Sequence, residues 1–156
     1  MNDPITQANI DSREIFDKIG DQLAAAVVDA IETVVHGKLA EVRLEAAIER
    51  LDHLATKEAG WKGPDSVAMP KTVRDAAEVF LRANFSSGWM PSLFIGLDAD
   101  GDVTIFAKSE RITMDLSVGT DQLYSFFADI ADGQTASGEG IPVTVQLPDA
   151  LMRALR

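Results

Sequence analysis

Cysteine is absent from this chain of 156 residues, which excludes disulfides, thiolate zinc sites and a cysteine nucleophile. The absence is typical of a reducing compartment. No apolar run reaches the roughly eighteen residues that a membrane span requires, and the run LAAAVV at 23–28 ends at Asp29. The first stretch, MNDPITQANIDSRE, is polar and acidic, unlike a secretory signal. We therefore expect a cytoplasmic protein without a membrane segment.

Basic residues are scarce, since 14 Lys and Arg stand against 25 Asp and Glu, a net charge of −11. Such a chain repels phosphate backbones, and it contains no basic stripe that would bind them. We expect no direct contact with nucleic acid. The negative charge has two interpretations, solubility alone or attraction to a basic partner such as a toxin or a nucleic-acid-binding enzyme.

Motifs for metal, phosphate or catalysis are also lacking. The only two histidines, His36 and His53, lie far apart in the sequence. The glycines form neither a phosphate loop nor a dinucleotide fingerprint. We expect no metal, no cofactor and no catalytic residue, and hence a protein that is not an enzyme.

The stretch IGLDADGDVTIF, residues 95–106, resembles a calcium loop at first sight. An EF-hand loop that began at Asp98 would need Gly at its sixth position and Glu at its twelfth, where Val103 and Ser109 stand. The Asp100-Gly101 pair instead supplies the positive φ angles of a tight hairpin turn. The sequence therefore predicts a β-hairpin here.

The N-terminal third has helical periodicity. Asp11 or Ser12 can cap a helix whose apolar residues recur at steps of about four, with Gly37 as its stop. A second helix follows from about Lys38 to Ala59, and the short join favours an antiparallel helical hairpin. The alternative is one long helix kinked at Gly37. The apolar residues of the first helix are Ile15, Ile19, Leu23, Val27, Ile31, Val34 and Val35.

The remainder of the chain predicts a third helix, then strands. The helix covers 71–85, and the periodicity then changes from 3.6 to 2. Strands are predicted at 92–98, 102–109, 111–118 and 122–130, a flexible loop at 131–140, a fifth strand or extended segment at 141–147, and a terminal helix at 148–156. The fold class is α+β: an N-terminal helical hairpin (1–59), then a helix packed on a four- to five-stranded antiparallel β-meander (60–156). The surplus apolar surface of the hairpin predicts a homodimer through the N-terminal helices.

Two groups of residues are candidates for partner binding. Carboxylates spaced by 4, 4 and 3 residues form an acidic stripe along the second predicted helix: Glu41, Glu45, Glu49 and Asp52. The stripe is either a solvated face or a landing surface for Lys and Arg of another chain. Trp61 and Trp89 either close the core where helices meet the sheet or anchor a partner.

The segments HLATKEAGWKGPDS, TVRDAAEVFLRA, MPSLFIGLDADGDVTIFAK, RITMDLSV and QLYSFFA resemble a group of small bacterial proteins of unknown function. The matching frame is Gly60-Trp61, Pro91, Asp100-Gly101 and Phe106, within residues 50–130. Where that family often has Trp on the second strand, this chain has Phe106 or Ala107. The resemblance implies an α+β domain without established catalytic residues, and a role linked to toxin–antitoxin or defence loci.

The leading hypothesis is an acidic, non-enzymatic interaction protein, an antitoxin, immunity or defence accessory protein that binds a basic partner. One alternative is a small ligand-binding domain or enzyme with its site between the sheet and the third helix, near Trp61 and Trp89. A further alternative is a phage-type inhibitor that mimics the charge of nucleic acid.

Overall fold

The structure, a computed structural model, describes residues 12–85 and 88–156. Residues 1–11, including the predicted cap Asp11, lie outside the described residues. The helices are α1 (Ser12–Ala55), α2 (Lys71–Phe85) and α3 (Asp149–Leu155), and the strands are β1 (Leu93–Leu97), β2 (Val103–Lys108), β3 (Ile112–Val118), β4 (Leu123–Ile130) and β5 (Gln134–Pro142). The strands form one antiparallel sheet in the order β1-β2-β3-β4-β5. The α+β class and the five-stranded meander are confirmed.

The first helix does not form the predicted hairpin. α1 continues through Gly37 as a single helix of 44 residues. Glycine in a helix costs roughly 1 kcal/mol relative to Ala but keeps its amide donor, so it does not end a helix as proline would. No proline occurs between Ser12 and Ala55, and Lys38 forms an ion pair with Glu41 at 2.5 Å one turn beyond Gly37. The chain therefore takes the alternative of one long helix.

The described chain divides into two compact units, the first ending at Val35 and the second covering His36–Arg156. In the second unit, the last turns of α1, together with α2, α3 and one face of the sheet, form a single hydrophobic core. We call this face of the sheet the inner face. The division into residues 1–59 and 60–156 stays a prediction, beside the observed boundary after Val35.

Two helices contribute apolar stripes to this core at helical spacing. The buried residues of α1 are Ala40, Leu44, Ala47, Ile48, Leu51 and Leu54. Those of α2 include Val73, Ala76, Ala77, Phe80, Leu81 and Phe85. Arg50 of α1 also donates a hydrogen bond to the carbonyl of Ile95 in β1 at 3.3 Å. The predicted third helix, now α2, is confirmed over the residues expected.

Alternation along the strands separates the two faces of the sheet, as period 2 requires. In β3, Ile112, Met114, Leu116 and Val118 are buried, whereas Thr113, Asp115 and Ser117 lie on the opposite, outer face. The first four strands lie within the predicted ranges. The prediction of one face on the core and one towards solvent is confirmed for β3.

The fifth strand lies where a flexible loop was predicted, and this part of the prediction is wrong. Asp132 and Gly133 have φ angles of 70° and 73°, the left-handed conformation that a tight hairpin turn needs. The turn folds the polar segment that follows back along β4, pairing Gln134 with Ile130. A polar segment can occupy this position because an edge strand needs only backbone bonds to one neighbour. Of the predicted strand 141–147, Ile141 and Pro142 alone belong to β5.

The C-terminal helix is confirmed over Asp149–Leu155, with Pro148 just before its first turn. Leu151 and Leu155 are buried in the core, and Ser109 donates a hydrogen bond to the carbonyl of Ala154 at 2.7 Å. These contacts hold the end of the chain against the sheet.

Tyr124 of β4 is one of the largest fully buried side chains. Its ring lies 4.8 Å from that of Phe80 in α2, measured between centroids. Its hydroxyl group is buried without a hydrogen-bond partner among the described residues, and burial raises the pKa of that hydroxyl. An unpaired buried hydroxyl costs free energy that a phenyl ring avoids.

We predict that Tyr124→Phe raises the free energy of unfolding by about 1 kcal/mol, since it removes an unpaired polar group without changing the ring packing. Urea unfolding monitored by circular dichroism measures the change. Phe126→Tyr, which adds a hydroxyl at a buried position of the same strand, should lower stability. A loss of 1 kcal/mol or more in Tyr124→Phe would contradict the unpaired state of the hydroxyl.

Candidate protein-interaction site

The first part of α1 exposes an unusual amount of apolar surface. Nine large side chains between Ser12 and Val35 are 43–73% exposed. We call them the apolar face of α1: Ile15, Phe16, Ile19, Leu23, Val27, Val28, Ile31, Val34 and Val35. At about 100° per residue they fall within one sector slightly wider than half the helix. The polar residues Lys18, Asp21, Gln22, Asp29 and Glu32 fall in the remaining sector, whereas Asp17 projects into the apolar sector at the angle of Val35.

The exposed area of this face distinguishes an ordinary surface patch from a protein–protein interface. Its exposed apolar surface is on the order of 1,000 Å², above the few hundred Å² that a monomer usually exposes in one patch. One partner of a standard protein–protein interface contributes about 800 Å². The apolar face of α1 therefore has the size of an interface.

The acidic stripe is more neutralised than its sequence suggests. Asp52 forms an ion pair with Arg74 of α2 at 2.6 Å, and Glu45 lies 3.5 Å from Arg82. Lys38 pairs with Glu41 as expected. Among the ion pairs of the described residues, none includes Glu49. The sequence spacing along α1 did not reveal these arginines because they belong to α2.

Glu78 joins the two arginines of α2. It accepts a hydrogen bond from Arg82 Nε at 2.8 Å and another from Arg74 Nη1. The hydrogen bond from Arg82, with the one from Arg74, holds the pKa of the Glu78 carboxyl below its ordinary value although burial opposes this. The hydrogen bond with Asp52 raises the pKa of Arg74. This part of the stripe therefore links α1 to α2.

Both tryptophans pack against the core, as the first of their two interpretations predicts. Trp61 and Trp89 are half-buried next to the hydrophobic cluster. Lys62 lies 6.0 Å from the ring centroid of Trp61, and Arg156 lies 5.3 Å from that of Trp89. Each ring therefore has both a packing contact with the core and a cation of the same chain near it. A role of either residue in partner binding stays a prediction.

The outer face of the sheet contains phenylalanines that sequence reasoning missed. Phe94, Phe106 and Phe127 are 67%, 36% and 49% exposed. Strand register aligns Phe94 with Phe106, Phe106 with Asp115, Asp115 with Phe127, and Phe127 with Ser137. We call this line across all five strands the outer row. A signal was present in the sequence, since each phenylalanine lies next to apolar residues of its strand, and in Phe106 and Phe127 both neighbours are buried.

A groove of about 670 Å³ lies beside the outer row. We call it the outer groove; its lining includes Thr104, Asp115, Ser117, Ser125, Phe127 and Glu139. Its floor consists of small side chains, because Thr104, Ser117 and Ser125 align across three strands. The groove therefore combines hydroxyls, two carboxylates and an aromatic wall.

The calcium-like segment forms the predicted hairpin. Asp98 Oδ1 accepts hydrogen bonds from the amides of Asp100 at 2.9 Å and Asp102 at 3.2 Å, and Gly101 has a φ of 88°. Burial, with repulsion from Asp98, Asp100 and Asp121, raises the pKa of Asp102. Over residues 12–85 and 88–156, no three His, Cys, Asp or Glu side chains are grouped to hold a metal ion. Asp98 therefore stabilises the turn by accepting bonds from its amides.

None of the helices in the described part of the chain combines the length and the apolarity that a membrane crossing needs. Compared with models of protein families, with curated proteins and with solved structures, the chain gives no match. The resemblance to the small bacterial proteins therefore stays a prediction.

We predict that Glu78→Gln lowers the free energy of unfolding by about 1 kcal/mol at pH 7, since its ion pairs are only partly exposed. Because the folded pKa of Glu78 is lowered, its contribution is present above the ordinary glutamate pKa of about 4.3 and is lost as pH falls through the folded pKa. The melting temperatures of the two proteins should therefore converge at low pH.

The matched control is Glu49→Gln. It also removes one negative charge, but at a residue of the acidic stripe that has no ion pair among the described residues. Its melting temperature should follow that of the wild type at every pH. Equal losses in both variants at pH 7 would show that net charge, and not the contacts of Glu78, determines the effect.

Proposed function

We propose that this protein is an acidic, non-enzymatic interaction protein that self-associates through the apolar face of α1 and binds a basic polypeptide. The observation that carries the proposal is the exposed apolar face, whose area matches an interface. The apolar face of α1 binds the same face of a second copy of the chain, and two features of the sequence of α1 support that choice.

The first feature is the symmetry of the apolar spacing about Val27. In an antiparallel pair with its two-fold axis at Val27, Ile19 faces Val35 of the partner and Leu23 faces Ile31. Val27 then faces its own copy, and the same spacing continues to Ile15 and Leu39. A two-fold interface requires such self-complementarity, because each contact occurs twice.

The second feature is the distribution of charge. The antiparallel arrangement sets Asp21 opposite Thr33 and Glu32 opposite Gln22, so no carboxylate of this stretch faces another. A parallel pair in register would set Asp21, Asp29 and Glu32 each beside its own copy. These carboxylates lie in the polar sector, where water and counterions screen them, so their repulsion is weak. It still favours the antiparallel homodimer over the parallel one.

The basic partner follows from charge. A net charge of −11 accelerates encounter with a cationic protein, while buried apolar contacts slow its release. Part of the acidic stripe stays available for this role, since Glu49 has no ion pair among the described residues. In this proposal the setting is the cytoplasm, and the partner is a toxin or a nucleic-acid-binding protein of a defence locus.

The two alternative functions are less well supported. Core side chains, including Phe80 and Tyr124, fill the space between α2 and the inner face of the sheet, where the first alternative places a ligand site. A protein that mimics nucleic acid needs its carboxylates concentrated on one side of the molecule. Here acidic residues lie on α1, in the turn at Asp98 and on β3 at Asp115.

We predict that Leu23→Lys converts a dimer into a monomer in sedimentation equilibrium, because it buries a charge within the apolar face. The control is Ala25→Lys, which introduces the same charge two residues away, in the polar sector of α1 and opposite Asp29 of the partner copy, and should stay dimeric. A wild-type chain that is monomeric at high micromolar concentration would contradict the proposed self-association.

The chain has no cysteine, so introduced thiols report the orientation directly. In the antiparallel dimer, Leu23→Cys cross-links with Ile31→Cys when the two variants are mixed, and neither links to itself. Residues 23 and 31 are about 12 Å apart along a helix, beyond the Cα distance of a disulfide. Self-linking of Leu23→Cys without mixed linking would overturn the antiparallel arrangement.

We predict a separate effect for the acidic stripe. Reversing Glu41 and Glu49 to Lys should slow association with a deca-arginine peptide several-fold in stopped-flow fluorescence and flatten its dependence on salt. The control reverses Asp65 and Glu110, two exposed carboxylates in loops, for the same change in net charge. Equal slowing in both variants would remove the stripe from the proposed function.

A further inference from the structure

The outer row departs from the usual pattern of a half-exposed sheet. The outer face of an antiparallel sheet is normally polar where it meets water. Here three phenylalanines share one line across the sheet with Asp115, which lies between Phe106 and Phe127. The core does not need these rings, because the inner face is filled by other side chains. Exposed rings in one line are typical of a binding surface.

The charge of this surface is negative. Asp115 and Glu139 both line the outer groove, and its described lining contains neither Lys nor Arg. Lys108 lies on the same face of the sheet, but strand register places it opposite Thr113, in the next row. A ligand that enters the groove beside Phe127 therefore meets carboxylates and an aromatic ring.

We propose that the outer groove binds an extended, arginine-bearing segment of a basic protein, with one guanidinium group held by Asp115 and the ring of Phe127, which both line the groove. Phe106 lies opposite Asp115 on β2, outside the lining of the groove. This site rests on the proposed basic partner and gives that partner a second contact surface besides the acidic stripe. Residues directly opposite on neighbouring strands lie about 5 Å apart, so Phe127 stands next to Asp115 across one strand pair. A planar cation that binds the Asp115 carboxylate is therefore within reach of the Phe127 ring.

Arginine suits the site better than lysine for three reasons. Its guanidinium group stacks on aromatic rings, is more weakly hydrated than an ammonium group and binds a carboxylate through two parallel hydrogen bonds. Lysine offers a compact, strongly hydrated charge instead. The site should therefore discriminate between two peptides of equal charge.

The dimensions of the groove favour a segment over a free amino acid. A volume of about 670 Å³ exceeds that of one side chain, and its floor is lined with hydroxyls. Ser125 accepts a hydrogen bond from the amide of Gly140 at 3.3 Å, and its O–H group remains a donor for a carbonyl of the bound segment. In an extended peptide, alternate side chains point to the same side, so arginines at every second position face the groove.

The test is a fluorescence-anisotropy titration with two labelled hexapeptides, Arg-Gly-Arg-Gly-Arg-Gly and its lysine counterpart. The wild type should bind the arginine peptide several-fold more tightly. Asp115→Asn should weaken that binding five- to tenfold, and Phe127→Leu several-fold, because leucine keeps the apolar contact and loses the aromatic face. Both altered side chains, Asp115 and Phe127, are exposed, so unchanged melting temperatures are expected and check the fold.

The matched control is Asp129→Asn, two residues beyond Phe127 on the same outer face, which removes the same charge from the next row and should change affinity less than twofold. Equal effects of Asp115→Asn and Asp129→Asn, or equal affinities for the two peptides, would overturn the arginine site. If the arginine peptide binds but neither Asp115→Asn nor Phe127→Leu weakens its binding, the proposed arginine site is wrong and the proposed basic partner is retained. If the wild type binds neither peptide, both proposals are wrong.

Discussion

The packing of α2 and the last turns of α1 against the inner face of the sheet is the interaction on which the rest of this structure depends. Phe80, Leu81 and Tyr124 are almost fully buried at the centre of that layer. Side-chain alternation along each strand then determines what the outer face presents, because a residue cannot turn inward without shifting its whole strand by one position. The exposed position of Phe106 and Phe127 is therefore a consequence of the inward positions of their neighbours.

The same constraint explains why the apolar side chains of this protein occur in two classes. Residues at Ala40–Leu54 of α1 reach the core at helical spacing, whereas those between Ile15 and Val35 are exposed although they are equally apolar. Hydrophobicity alone does not separate the two groups; contact with the sheet does. Exposed apolar side chains in numbers of this kind raise the free energy of a monomer in water, and association lowers it.

Much of the fold could be predicted because its signals are local. The change of period near residue 92, the Asp100-Gly101 turn and the helix at Lys71–Phe85 depend on neighbours within a few residues. β5 was missed because its polar sequence has no strand pattern, and only the turn at Asp132-Gly133 and pairing with β4 make it a strand. The helical hairpin was wrong because glycine weakens a helix without removing a backbone donor.

The candidate sites were harder to predict because they depend on contacts between elements. The stripe at Glu41–Asp52 looks uncompensated along α1, and only the packing of α2 brings Arg74 and Arg82 to Asp52 and Glu45. The outer row requires strand register, which sequence spacing does not provide. Both cases have one cause. Whether a carboxylate is paired, and which residues lie beside an exposed ring, depends on residues far away in the chain.

The proposed self-association is compatible with a strongly negative charge because the two properties involve different residues. Between Lys18 and Glu32, charged residues of α1 occupy the polar sector, so an antiparallel pair brings apolar side chains together and leaves carboxylates in water, where counterions screen them. The carboxylates of the outer groove are likewise separate from that helix sector. An acidic chain with such a division can join its own copy by burial and attract a basic partner by charge, since neither interaction uses the residues of the other.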